Sequence, residues 1–210
     1  MDKKEYQNIR TSYDKSELNK TDLNENPILA FKDWFDLAIK SNVVEPNAMV
    51  LSTSTKDGKP SSRVVLLKEI SKEGIVFYTN YKSKKGIEME SNPHVALLFF
   101  WIELQKQVRI EGTIIKNSSK DSDEYFRSRP LESQLGAMAS NQSSILESKE
   151  ELNEKFNSIK DSTPVRPDNW GGYIVQPSYF EFWQGRTNRL HDRISYEKEV
   201  DSWKVNRLSP

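Results

Sequence analysis

The chain has 210 residues with 31 basic and 31 acidic side chains, so its formal charge is zero and nothing suggests a general polyanion-binding surface. It has no cysteine and two histidines, His94 and His191, which excludes disulfides, thiolate nucleophiles, zinc fingers, iron–sulfur ligation and a multi-histidine metal site. Five Trp, eight Tyr and nine Phe argue against disorder, and the length allows one domain with a full core or two small ones.

Residues 1–26 are polar and unpatterned and read as a mobile arm. The opening "MDKKEYQNIR" has no apolar run, so it does not read as a signal peptide. The longest apolar run, Val95 to Ile102, is far short of the ~20 residues of a membrane helix. The expectation is a soluble, cytoplasmic protein that engages neither membrane nor nucleic acid. A helix is predicted from Asn26 as cap and Pro27 as first residue, with Ile28, Phe31, Phe35 and Ala38 as its apolar stripe.

From residue 48 the pattern changes to strands. "AMVLSTST" and "SSRVVLLKEI" form a predicted hairpin turning at Asp57-Gly58, and "GIVFYTN" is a further strand. "SKKGIEMESN" is a short helix stopped at Pro93, and "HVALLFFWI" and "KQVRIEGTIIK" are again strands. Residues 118–160 turn helical, in three pieces. Strands then return as "GGYIVQP", "YFEFWQG", "LHDRISYE" and "SWKVNRLS". About eight short strands with helices inserted predict a mainly β, closed or partly closed antiparallel barrel, with residues 27–210 as one domain. His94 reads as a strand-end residue, and Trp34, Trp101 and Trp203 as packing groups.

Positive charge collects in three places. "WQGRTNRLHDR", Trp183 to Arg193, holds three arginines and a histidine against one acid. On an ideal strand Arg189, His191 and Arg193 would share a face, opposite either an anion or the acids of a salt-bridged surface. Between Arg63 and Lys85 the cations Lys68, Lys72, Lys82 and Lys84 outnumber Glu69 and Glu73. Lys84 and Lys85 open a helix against its dipole, which suits either a bound phosphate or a solvated lysine run. In "YFRSRPLES", Tyr125 and Arg129 are four apart and Ser133 follows Pro130, a combination able to clamp a phosphate. Three cationic spots in a neutral chain point to two phosphorylated small molecules and away from nucleic acid, which calls for a continuous basic stripe.

Several blocks resemble the pyridoxamine 5′-phosphate oxidase family: "RVVLLK" at 63–68, "FYTN" at 77–80, "SRPLESQLGAMASNQS" at 128–143, "EFWQG" with "RLHDR" at 181–193, and the ending "WKVNRLSP". Together they run from about residue 10 to 210. The resemblance implies a homodimeric split β-barrel with FMN at the subunit interface. It implies oxidation of pyridoxamine 5′-phosphate or pyridoxine 5′-phosphate to pyridoxal 5′-phosphate, with hydride passing from substrate C4′ to flavin N5 and O2 reduced to hydrogen peroxide.

By motif, the implied FMN contacts are Arg63, Val64, Val65, Leu66, Leu67, Lys68, Tyr78, Thr79, Lys84, Lys85, Gln107, Gln142, Ser143, Trp183 and Arg193. The implied substrate contacts are Lys68, Tyr125, Arg129, Ser133, Arg189, Leu190 and His191, with Arg10 and Tyr13 on an arm that closes over the substrate. Arg189 and His191 are the catalytic candidates, Arg189 as the orienting group and His191 as either base or packing residue. This chain has Lys84-Lys85 where the family usually has Arg-Lys, so one phosphate contact keeps its charge but loses its fork. Arg63 and Lys68 are five apart and would face opposite sides of an ideal strand, which requires a bulge or backbone contacts. The rival readings are another FMN enzyme on the same barrel and a non-catalytic flavin or pyridoxal phosphate carrier.

Overall fold

The computed structural model describes residues 3–9 and 11–210; Arg10, expected on the arm, lies outside them. The hydrogen-bonded strand order is β2-β1-β5-β6-β7-β4-β3, with β8 pairing β7 and β9 pairing β8. These strands are β1 Ala48–Ser54, β2 Pro60–Leu66, β3 Glu69–Ile70, β4 Ile75–Asn80, β5 His94–Trp101, β6 Lys106–Lys116, β7 Trp170–Gln184, β8 Asp192–Lys198 and β9 Trp203–Leu208. Helices α1 Lys3–Asn8 and α2 Pro27–Lys40 precede β1, and α3 Lys84–Ser91, α4 Ser119–Ser128, α5 Leu131–Ala139 and α6 Lys149–Ile159 are inserted between strands. Among the described residues no helix is long and apolar enough to cross a membrane. The residues cluster into two compact units. Unit 1 comprises the chain up to Pro46, Leu98–Ile110 and Ser178–Pro210, and unit 2 comprises Asn47–Leu97 and Glu111–Pro177.

In unit 1, α2 starts as its sequence requires. The Asn26 side chain accepts from the Ile28 N–H at 2.9 Å, and Pro27 occupies the first turn. Its buried face is Ala30, Phe31, Trp34 and Ala38, whereas Ile28 and Phe35 of the expected stripe are half-buried. Phe31 lies 4.9 Å from Phe99, and Trp34 meets Phe182 edge-on at 5.1 Å. Each such burial contributes about 1.5–3 kcal/mol. Residues 14–24 of the expected arm are tied down. The Asp14 and Lys15 N–H groups donate to Gln105 Oε1, the Leu18 N–H donates to Asp192 Oδ2, and Tyr196 Oη donates to the Asn24 carbonyl. Leu18 and Leu23 are buried, two apolar anchors in an otherwise polar stretch.

In unit 2, β1 and β2 pair antiparallel from Ala48↔Leu66 to Ser54↔Pro60, and the turn between them uses Gly58 at φ +84°. α3 is capped by Ser83, whose hydroxyl accepts from the Gly86 N–H. β4 pairs β7 from Ile75↔Val175 to Asn80↔Trp170.

Two expectations are corrected. "GGYIVQP" and "YFEFWQG" are one 15-residue strand, β7, which continues through Pro177. β7 pairs β4 over Trp170–Val175 and β8 over Tyr179–Gln184, so Pro177 falls in the gap between these two ladders. "LHDRISYE" is a strand only from Asp192. Thr187–Arg189 is a single turn, with Asn188 at φ 56° and Arg189 at φ 62°, both left-handed. Arg189 and His191 therefore do not alternate with Arg193 along a strand face.

Candidate functional site

Unit 2 contains a cavity of about 1040 Å³ in which two groups of cations meet. The first group lies where β2 and β4 meet α3. Lys85 is buried, and its Nζ donates to Thr79 Oγ1 at 3.2 Å, Ser83 Oγ at 3.2 Å and Gln142 Oε1 at 3.1 Å. It makes no ion pair among the described residues. Burial, and then the neighbouring Arg63 guanidinium, push its ammonium down to about 8, with Glu88 opposing. An ammonium with three neutral acceptors at a helix N-terminus suits a phosphate.

Arg63 is held beside it by partners that sequence reading missed. Its guanidinium donates to Thr53 Oγ1 at 2.6 Å, Ser61 Oγ at 2.5 Å, Glu88 Oε2 at 3.2 Å and the Leu51 carbonyl at 3.1 Å. Thr53 Oγ1 donates in turn to the buried Glu88. Lys84 is exposed and lies 3.9 Å from Glu88. Thr79 donates to Gln142 Oε1 at 3.0 Å, and Ser143 beside it has φ 73°.

The second group gathers around the C-terminal end of α4. Lys68, Tyr125, Arg129 and Ser133 all line the same cavity. Tyr125 is on α4, but Arg129 is the residue just beyond it, at φ −75° and ψ 153°, so the two do not share a helix face as expected. Pro130 forces this, because the residue before a proline avoids the helical region. Arg129 Nη1 is buried with no hydrogen-bond partner, and burial lowers its pKa. An orphaned guanidinium N–H beside a cavity is what an absent anion would leave behind.

Arg63 and Lys68 reach one cavity without a bulge, because β2 ends at Leu66. The Lys68 N–H donates to the Val76 carbonyl of β4, so the chain has left its pairing with β1 by Lys68. Val64, Val65, Leu66, Tyr78, Lys84 and Ser143 also line the cavity. Leu67 does not; its side chain is buried at 4 % exposure and its N–H donates to the Asn47 carbonyl.

The remaining expected residues belong to unit 1. Tyr13 meets Trp183 edge-on at 5.7 Å, and Trp183 lies 4.7 Å from the His191 ring. A Cβ on Gly185 would fall 2.7 Å from Tyr13 Cγ, so glycine is what lets this ring in. A pocket of about 460 Å³ here is lined by Tyr13, Arg186, Arg189 and His191 among others. His191 Nδ1 accepts from the Arg186 N–H at 3.0 Å, so neutral His191 carries its proton on Nε2 and is a donor there. Burial, and then Arg189, lower its pKa. Leu190 is exposed. Arg193 lies on β8, donating to Glu181 Oε1 at 2.9 Å and the Ser209 carbonyl at 2.8 Å. Gln107 is half-buried on β6.

Sequence reading also passed over Trp170, which lines the unit 2 cavity. Its signal was the following glycine pair: a Cβ on Gly172 would stand 2.9 Å from Tyr78 Cε1, and one on Gly171 2.1 Å from Tyr81 Oη.

Residues 35–161 match the family described as Pyridoxamine 5′-phosphate oxidase, and residues 170–210 match the Pyridoxine 5′-phosphate oxidase C-terminal dimerisation region. A Pyridoxine/pyridoxamine 5′-phosphate oxidase of Leptospira interrogans is 50% identical over 207 residues, covering 96% of this chain and 97% of the relative. One from Cyanothece sp. is 47% identical over 206 residues, with the same coverage. The crystal structure of PhzG from Burkholderia lata, in complex with tetrahydrophenazine-1-carboxylic acid, superposes with a TM-score of 0.89 at 31% identity, covering 95% of this chain and all of that one. The mainly β architecture with inserted helices is thus shared with a solved structure. By matched span, identity and fold together, the chain belongs to the pyridoxamine 5′-phosphate oxidase family.

Proposed function

We propose that this protein is an FMN-dependent oxidase of the split-barrel class that converts pyridoxamine 5′-phosphate or pyridoxine 5′-phosphate to pyridoxal 5′-phosphate. The observation that carries this reading is the presence of two anion seats in one cavity, Lys85 with Arg63 and Arg129 with Lys68. One cavity with two phosphate seats fits a phosphorylated cofactor beside a phosphorylated substrate. The protein acts as a homodimer, with FMN at the subunit interface, in the cytoplasm.

Arg63, Lys84, Lys85, Thr79, Gln142 and Ser143 are the residues that would hold FMN, through its phosphate and polar edge. FMN, when bound, supplies a two-electron acceptor for hydride from substrate C4′ and returns to its oxidised form by reducing O2 to hydrogen peroxide. Pyridoxine phosphate yields the aldehyde directly, while pyridoxamine phosphate also takes up water and releases ammonia. Lys68, Tyr125, Arg129 and Ser133 hold the substrate phosphate. Arg189 orients the substrate ring. His191 donates from Nε2–H, since its Nδ1 is engaged by the Arg186 N–H, which favours positioning over proton abstraction. Such alignment can supply several kcal/mol, about 7 or more in favourable intramolecular cases.

The test is FMN-loaded protein in air with pyridoxamine 5′-phosphate, following aldehyde and hydrogen peroxide together. Equal appearance of both is expected. FMN bound tightly with neither product would make this a carrier or an oxidase of another substrate.

A further inference from the structure

The guanidinium of Arg129 is held by an aromatic face instead of an acid. It makes no ion pair among the described residues, and its Nη1 is buried without a partner. Its Cζ stands 4.8 Å from the centroid of the Trp170 ring and 5.9 Å from that of Phe126.

Trp170 in turn is fixed from several sides. Its ring runs parallel to Tyr125 at 6.2 Å and to Tyr78 at 5.6 Å, and it meets the Phe126 edge at 5.3 Å. Its N–H donates to the Pro167 carbonyl, and its own carbonyl accepts from Arg166 Nη1 at 2.7 Å. Arg166 is itself paired with Asp123 of α4, so the strand start and the helix carrying Tyr125 are joined.

We propose that Trp170 is a positioning residue for the substrate phosphate, acting through Arg129. A carboxylate in its place would also fix Arg129, but it would occupy the N–H fork and cancel the charge that an anion needs. A ring face attracts the cation while leaving the in-plane N–H groups unused. Trp170 thereby keeps Arg129 both ordered and vacant, and it contributes to selection of a phosphorylated substrate. This rests on the reading of Arg129 as a phosphate ligand.

The experiment uses FMN-loaded enzyme and steady-state kinetics with pyridoxamine 5′-phosphate on Arg129→Ala, Trp170→Leu, Trp170→Phe and the Arg129→Ala/Trp170→Leu double variant. Trp170→Leu is expected to raise KM about 10-fold, with kcat within twofold and FMN affinity within threefold. Trp170→Phe, which keeps an aromatic face, is expected to recover most of that loss, and it carries the comparison alone if the Leu variant does not fold. In the Arg129→Ala background the Leu substitution should change KM by less than twofold, because the residue it acts through is gone. A Trp170→Leu defect that persists in full without Arg129, or that falls equally on FMN affinity, overturns the inference and leaves Arg129 as a ligand. An unchanged KM in Arg129→Ala alone overturns the phosphate assignment itself, and the inference with it.

Discussion

Lys85 in unit 2 and Lys106 in unit 1 are both buried, and burial pushes both down to about 8 from 10.5, but their surroundings differ in kind. Lys85 stands on a cavity wall and donates to three neutral side-chain oxygens, of which those of Thr79 and Gln142 belong to residues lining the cavity, where a phosphate oxygen can replace them. Lys106 is closed in. Its Nζ donates to Gln184 Oε1 at 2.6 Å and lies 3.8 Å from the Trp34 ring centroid. Gln184, fully buried, then donates to the Leu104, Gln105 and Gly185 carbonyls. A lowered pKa therefore does not by itself distinguish a ligand-binding cation from a structural one. What distinguishes them is whether the acceptors are exchangeable and open to a cavity.

The largest effect should come from breaking the closed case. Lys106→Ala removes the cation over Trp34 and orphans Gln184 Oε1, and is expected to lower the unfolding free energy by about 3 kcal/mol while FMN affinity stays within threefold. Denaturant unfolding and flavin fluorescence titration measure the two halves. Lys85→Ala should do the reverse: FMN binding weakens about 30-fold, the value of one charge-assisted contact of about 2 kcal/mol, with little loss in apo stability. If Lys85→Ala destabilised the apo protein as much as Lys106→Ala, the two lysines would not differ as described.

Arg189→Ala tests the unit 1 loop and should lower kcat/KM for pyridoxamine phosphate about 20-fold while FMN remains bound. Loss of flavin with normal turnover after reloading would show that the residue serves the cofactor instead.

Changing pH sharpens the contrast without mutation. The folded pKa of Lys85 is about 8, below the 10.5 of an unconstrained lysine, so between these values the folded apo state binds fewer protons than the unfolded chain. Its contribution makes apo stability rise with pH over that window, and Lys106 contributes in the same direction. A bound phosphate favours the ammonium, so FMN affinity should fall as pH rises through 8, by up to about tenfold per unit. Lys85→Ala should flatten that slope and Lys106→Ala should not. The smallest effect expected is His191→Asn, whose amide oxygen can replace Nδ1 as acceptor for the Arg186 N–H; kcat should fall about threefold, as measured by steady-state turnover.

Much of this was legible in the chain. The Asn26-Pro27 helix start, the Asp57-Gly58 hairpin and the short helix opened by Lys84 and Lys85 are local, and local chemistry decided them. The members of the two anion seats were named from charge and motif. The sequence did not show how each is held: Glu88 and Thr53 on Arg63, or Trp170 under Arg129. Those partners are 25, 10 and 41 positions away by residue number, and no periodicity links them.

The sequence by itself determined element type almost throughout, because capping, turn chemistry and strand alternation act over a few residues. Tertiary structure alone decided three things that alternation had misjudged: β2 ends at Leu66, β7 runs on through Pro177, and the Arg189–His191 segment coils. At each of these the outcome depends on which neighbour the folded chain brings alongside, whether Val76 for Lys68, β4 and then β8 on either side of Pro177, or the Arg186 N–H on His191. A backbone donor goes where an acceptor has been brought to it, and only the folded chain brings it there.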